Sequence, residues 1–158
     1  MRPHRTHFLG LIGAIFALAL IPVNAQANHC SNASAAGNWA YTYTGTIFTP
    51  NGALPLASVG HYSQDTAGNV TGSQNRSGAG NSRFEDISGT VTVNTDCTAT
   101  GTIDVLVNGQ LQRTAVLAIV YDSNGNHARM IFQSLTLPSN VNVPVVITLD
   151  ANRLTAKD

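Results

Sequence analysis

The chain has 158 residues, with eight lysines and arginines against eight aspartates and glutamates and only 10% charged residues overall. No basic cluster is present, which excludes an electrostatic surface for nucleic acid or an anionic membrane. A single glutamate (Glu85) and a single lysine (Lys157) stand among abundant Thr, Asn, Ser, Gly and Val, a composition that favours β-structure with an uncharged, hydroxyl-rich surface.

Residues 1–27 have the three parts of a secretory signal: Arg2 and Arg5, an apolar run over 8–23, and Ala25-Gln26-Ala27 as a small-x-small cleavage site. The run is short against the roughly 20 residues a membrane span needs. The expectation is therefore a cleaved signal and a protein exported to a periplasm or beyond the cell. Ala27, Asn28 and His29 do not place a small residue directly before Cys30, which disfavours a lipid anchor. No later segment is long and apolar enough to span a membrane as a helix, so no membrane association is expected after cleavage. Without Arg2 and Arg5, six basic residues face eight acidic ones, a charge of about −2, on a chain long enough for one domain.

Cys30 and Cys97 are the only cysteines, and in an exported chain they most simply form one disulfide. The chain-entropy model assigns the long loop this closes about 4 kcal/mol. Residues 28–38 then read as an N-terminal arm, 39–154 as the folded domain and 155–158 as a tail.

From Trp39 onward, short alternating runs are separated by turn clusters, the pattern of an antiparallel barrel or sandwich. Eight strands are expected, at 39–48, 56–64, 70–76, 87–94, 98–107, 110–121, 127–136 and 143–149. The clusters at 65–69, Asn108-Gly109 and 122–126 each supply a Gly or Asn able to take positive φ, as tight hairpins require. Eight strands in a meander suffice to close a barrel without exposed edges. Period-two alternation puts Ala99, Gly101, Ile103, Val105 and Val107 inside, and in the next strand Leu111, Ala115, Leu117, Ile119 and Tyr121, with Arg113 among them. The seventh strand is ambiguous between Ala128, Met130 and Phe132 and the opposite set. The polar, glycine-rich stretch 73–86 reads as a mobile loop. Asn32, Asn69 and Asn75 each begin an N-glycosylation triplet of the kind such a composition yields by chance.

At Gly37-Asn38-Trp39 the opening of the first strand resembles the Gly-x-Trp element of lipocalins and their calycin relatives. That resemblance implies an eight-stranded up-and-down barrel whose closed end holds Trp39, with Arg153 after the last strand packed across the indole. The Thr-Val-Asn-x-Asp-Cys-Thr run ending at Thr98 also resembles small exported bacterial proteins of unassigned function. An immunoglobulin-like sandwich is the rival fold, because Cys30, Trp39 and Cys97 occur in that order. In that fold, however, the second cysteine lies within a strand and follows a tyrosine by two residues, where this chain has Thr95.

No catalytic arrangement is legible. Gly-x-Ser-x-Gly is absent, Glu85 and Asp86 are adjacent and point apart in an extended segment, and no histidine among His29, His61 and His127 has a metal-ligand neighbour at helical or strand spacing. Neither a catalytic residue, a metal nor a cofactor is assigned. Arg113, on an apolar face, either reaches solvent past its strand end or anchors a carboxylate-bearing ligand in a barrel mouth lined by Tyr41, Tyr43, Leu117, Tyr121 and Phe132, with His61 as a further inward candidate. The expected function is that of a noncatalytic exported barrel holding a small apolar ligand, with an extracellular interaction module of packed interior as the alternative. Gly60, Gly72 and Gly101 are the positions expected to leave room.

Overall fold

The computed structural model describes residues 29–154. The expected signal at 1–27, Asn28 of the arm and the tail at 155–158 lie outside the described residues. Eight antiparallel strands follow one another around a closed barrel: β1 (Gly37–Thr49), β2 (Gly52–Gln64), β3 (Asn69–Gly78), β4 (Asn81–Val93), β5 (Thr98–Val107), β6 (Gln110–Asp122), β7 (His127–Thr136) and β8 (Val145–Arg153). β1 closes the ring by pairing with β8, with Trp39 opposite Arg153 and Ile47 opposite Val145. This is the lipocalin-like meander, and closure rules out the sandwich.

Alternation places Trp39, Tyr41 and Tyr43 of β1, Leu56, Ser58, Tyr62 and Gln64 of β2, and Ala99, Ile103 and Val105 of β5 in the interior. Turn chemistry sets the register: Asn108 and Gly109 both take positive φ (51° and 75°), the backbone a two-residue hairpin needs. Two irregularities then change faces that sequence alternation alone assigns. At β5 and β6 the register jumps so that Val105 faces Arg113 while Leu106 faces Leu111, leaving Gln112 as the extra residue of a bulge. Leu111, expected inside, consequently turns outward and is 41% exposed. At β6 and β7 a second jump, at Gln133, keeps Phe132 and Leu135 on the same inward face. Ala128, Met130 and Phe132 are therefore the inner set of β7.

The stretch 73–86 is not a loop but the tip of the β3–β4 hairpin, paired from Ser73 opposite Asp86 to Gly78 opposite Asn81. Its polarity misleads because the barrel interior it faces is itself polar there, with Gln74 and Glu85 buried.

One end of the barrel is sealed. A four-residue helix, α1 (Asn32–Ala35), is capped by Ser31 and lies against that end, a feature no sequence signal marked. The Asn32 side chain donates to Ala67 O (3.0 Å) and accepts from Val93 N (2.8 Å), tying α1 to two turns. The Cys30–Cys97 disulfide fastens the same arm across a sequence separation of 67. Beneath it Trp39, fully buried, donates its indole N–H to Ala35 O at 3.1 Å. No helix among the described residues is long and apolar enough to cross a membrane.

Candidate ligand-binding cavity

Between the sealed end and the opposite mouth lies a cavity of about 60 Å³. Its apolar wall includes Val91, Ile103, Leu117, Ile119, Phe132 and Leu149, and its polar wall Tyr41, Tyr43, Gln74 and Arg113. Both walls follow from period two: each inward position of the strands delivers one side chain, and Arg113, in step with Ala115 and Leu117, is the last inward residue of β6 before the bulge at Gln112.

The polar wall is a connected network. Arg113 donates to Glu85 from both amino groups, Nη1 to Oε1 at 3.0 Å and Nη2 to Oε2 at 2.5 Å, and Arg76 Nε donates to Oε1 at 3.0 Å. Gln74 Nε2 adds a bond to Oε2 at 2.7 Å, while its Oε1 accepts from Tyr41 Oη (2.8 Å) and Ser58 Oγ (3.2 Å). Glu85 is 1% exposed. Burial pushes its carboxyl up, but the bonds from Arg113, Arg76 and Gln74 outweigh that and hold it below the usual carboxylate range. Burial likewise opposes the charge on Arg113, and Glu85 more than restores it. Desolvation raises the phenols of Tyr41, Tyr43 and Tyr62, so all three stay protonated donors.

Of the residues expected to bind a ligand, Tyr41, Tyr43, Arg113, Leu117 and Phe132 line this one cavity. Tyr121 is buried lower, against Trp39 (ring centroids 5.8 Å apart), where desolvation pushes its phenol up to about 12. His61 corrects the expectation: Tyr62 takes the inward position, and the neighbouring His61 is exposed on the outer surface. Arg113 matches neither of its two sequence readings, since its guanidinium is held by Glu85 rather than by solvent or a vacant anion site.

Gln74, Arg76 and Glu85 were missed because the stretch that carries them reads as a loop. The signal was present nonetheless: Gln74 is in step with Val70 and Gly72, and Glu85 with Ile87, Gly89 and Val91, one alternation continued into polar residues. Of the glycines expected to leave room, Gly60 admits the Tyr41 ring, Gly72 the close approach of β2 at His61 and Tyr62, and Gly101 the side chains of Ile119 and Val91. A Cβ at Gly60 would lie 2.8 Å from the Tyr41 ring and one at Gly72 2.9 Å from Tyr62 Cβ.

His127 is a hydrogen-bonded histidine: Nδ1 lies 2.6 Å from Asp122 Oδ1 and Nε2 2.8 Å from Asp150 Oδ2. Strand pairing supplies both partners, Asp122 by facing His127 across β6 and β7, and Asp150 from β8. The two carboxylates approach opposite ring nitrogens, and no cluster suited to a metal ion occurs among the described residues.

No protein-family model and no curated protein matches the chain. Among solved structures it is similar to a redesigned β-barrel, mFAP1, bound to DFHBI, at 20% identity and a TM-score of 0.49, covering 77% of this chain and 99% of the other. A likeness at that level carries no argument about function.

Proposed function

We propose that this is an exported, noncatalytic barrel that holds one small, mostly apolar molecule in the cavity between the Trp39 end and the Arg113 mouth. The observation that carries this reading is an apolar cavity with a polar rim, left open at one end of a barrel whose other end is sealed by α1, the disulfide and Trp39. A volume of about 60 Å³ is room for several waters. It is well below the roughly 300–1,000 Å³ of drug-sized sites. The occupant is accordingly a short chain or a single small ring, unless Phe132 and Met130 change rotamer to enlarge the space. Export is supported by the disulfide, since such bonds persist in oxidising compartments. A noncatalytic role is supported by the saturation of Glu85: a carboxylate held ionised by four bonds is a poor proton acceptor.

The second reading, an interaction module with its interior packed shut, is favoured by the same small volume and by the Tyr41 ring that fills the space over Gly60. Xenon separates the two. Under xenon pressure the methyl resonances of Ile103, Leu117 and Ile119 should shift saturably if the cavity admits an apolar guest; unshifted methyls favour the packed module.

A further inference from the structure

Resting on that cavity reading, we propose that the barrel selects an uncharged ligand and that Glu85 is the residue that imposes the selection. An arginine facing an apolar barrel interior is the usual partner of a carboxylate, because its planar fork matches two carboxylate oxygens. Here a side chain of the protein already occupies that place. Glu85 engages Arg113 through two bonds, at 3.0 and 2.5 Å, and Arg76 and Gln74 take the remaining positions at 3.0 and 2.7 Å. A carboxylate offers about four lone-pair sites, so the anion is saturated and the fork is consumed.

An anionic ligand inside the cavity would therefore have to displace Glu85. With 1% exposure, the displaced carboxylate has no water to replace the two bonds it loses and is left to Arg76 and Gln74 alone. A cationic ligand fares no better: it meets the guanidinium of Arg113 and a carboxylate whose bonds are filled. Arg76 does not line the cavity, and its side chain is 21% exposed, so the charge it carries in excess lies outside.

What the cavity does offer a head group is phenolic O–H. The Tyr43 hydroxyl accepts one long bond, from Gln74 Nε2 at 3.4 Å, and Tyr43 lines the cavity. The Tyr62 hydroxyl has no hydrogen-bond partner among the described residues, and Tyr62 also lines the cavity. Desolvation keeps both protonated. The matching ligand carries an uncharged oxygen acceptor, as in an alcohol, ether, ester or ketone, on an apolar body.

The test is an NMR titration of the full mature protein near neutral pH with pentan-1-ol, pentanoate and pentylammonium, which share a chain and differ in head group. Pentan-1-ol should shift the Ile103 and Leu117 methyls and bind at least about tenfold more tightly than either ion. In Glu85→Gln, with Arg113 released, pentanoate should gain on the alcohol by about tenfold or more. Wild-type binding of pentanoate as tight as that of the alcohol overturns the inference, whether or not the variant folds. So does a folded Glu85→Gln protein, checked by circular dichroism, whose preference is unchanged. If no probe binds either protein, the cavity reading fails and this inference falls with it.

Discussion

The guanidinium of Arg153 lies over the indole of Trp39, its central carbon 5.0 Å from the ring centroid, and the two residues also face each other across β8 and β1. The same guanidinium donates to Ala36 O (2.8 Å), Ser34 O (2.5 Å) and Gly125 O (3.1 Å), so one side chain joins the last strand, the arm and the β6–β7 turn. It is the lid of the sealed end, and a cavity open at only one end depends on it.

Replacing either partner should therefore loosen the same assembly. Arg153→Met is expected to lower stability by about 2–4 kcal/mol, through lost carbonyl partners and lost stacking. Trp39→Phe in the Arg153→Met background should cost less than it does alone. Urea denaturation of the two single variants and the double variant gives the coupling, expected at about 0.5–2 kcal/mol. Additive effects would remove the stacked pair from the account.

Besides Arg153 and Trp39, the disulfide and Asn32 hold the arm. Asn32→Ala leaves the partly buried Val93 N–H without its acceptor and should cost about 1–3 kcal/mol. Reduction of the disulfide, which closes a loop with a sequence separation of 67, should cost about 4 kcal/mol less any native strain it relieves. Denaturation midpoints with and without dithiothreitol measure the second effect directly; unchanged midpoints would show that the disulfide contributes nothing.

Removing one member of the buried ion pair should be worse than removing both. Arg113→Met takes two of the four bonds from the buried Glu85 and is expected to cost about 3–5 kcal/mol, while Arg113→Met with Glu85→Leu should recover most of that loss. The sign with pH follows from the lowered carboxyl of Glu85. Its stabilisation is present above the ordinary value of 4.5 and is lost as pH falls through the depressed folded value. Acid melts of the wild type and the double variant should converge, because only the wild type has this term to lose.

His127 acts at the other end of the pH scale. Bonding to Asp150, the largest influence, together with Asp122, outweighs burial and raises the imidazole above its ordinary 6.5. Arg129 Nη2 lies 3.3 Å from Asp122 Oδ2, and Asn152 Nδ2 donates to Asp150 Oδ1 at 3.4 Å, completing the charged and polar surroundings. A raised folded pKa gives stabilisation that is complete below the unfolded value and is lost as pH rises through the folded one. The melting-temperature difference between wild type and His127→Asn should thus be largest near about pH 5 and shrink toward about pH 9. A difference that grows with pH would contradict the doubly bonded imidazolium.

The glycine positions make a packing prediction. At Gly60 a new Cβ would meet Ser73 O at 2.5 Å and the Tyr41 ring at 2.8 Å, so Gly60→Ala must move a strand or expel a ring. A loss of about 1–3 kcal/mol is expected from thermal melts. A neutral substitution would mean that Tyr41 does not rest on the glycine.

The strand count, the meander order and the disulfide could be read from the sequence because each rests on a local signal, alternation, turn glycines and two cysteines, while the closed-end pair of Trp39 and Arg153 was implied by the Gly-x-Trp resemblance. Other features, α1 among them, could not be read. Leu111 was misassigned because a bulge at Gln112 breaks the period without leaving a residue-type mark. The β3–β4 tip was hidden because a polar interior reverses the rule that buried faces are apolar. The bonds of Glu85 to Arg113 and of His127 to Asp122 and Asp150 were invisible because strand pairing and barrel closure, rather than chain proximity, bring those residues together.

Native mass spectrometry of the protein purified from its natural source tests the central claim most directly, because it samples the cavity as the cell fills it. A noncovalent adduct of small mass is expected, one that collisional activation removes and that a cavity-filling variant such as Ala115→Leu carries less of. A wild-type protein found only at its apo mass, and equally so in the variant, would contradict the account.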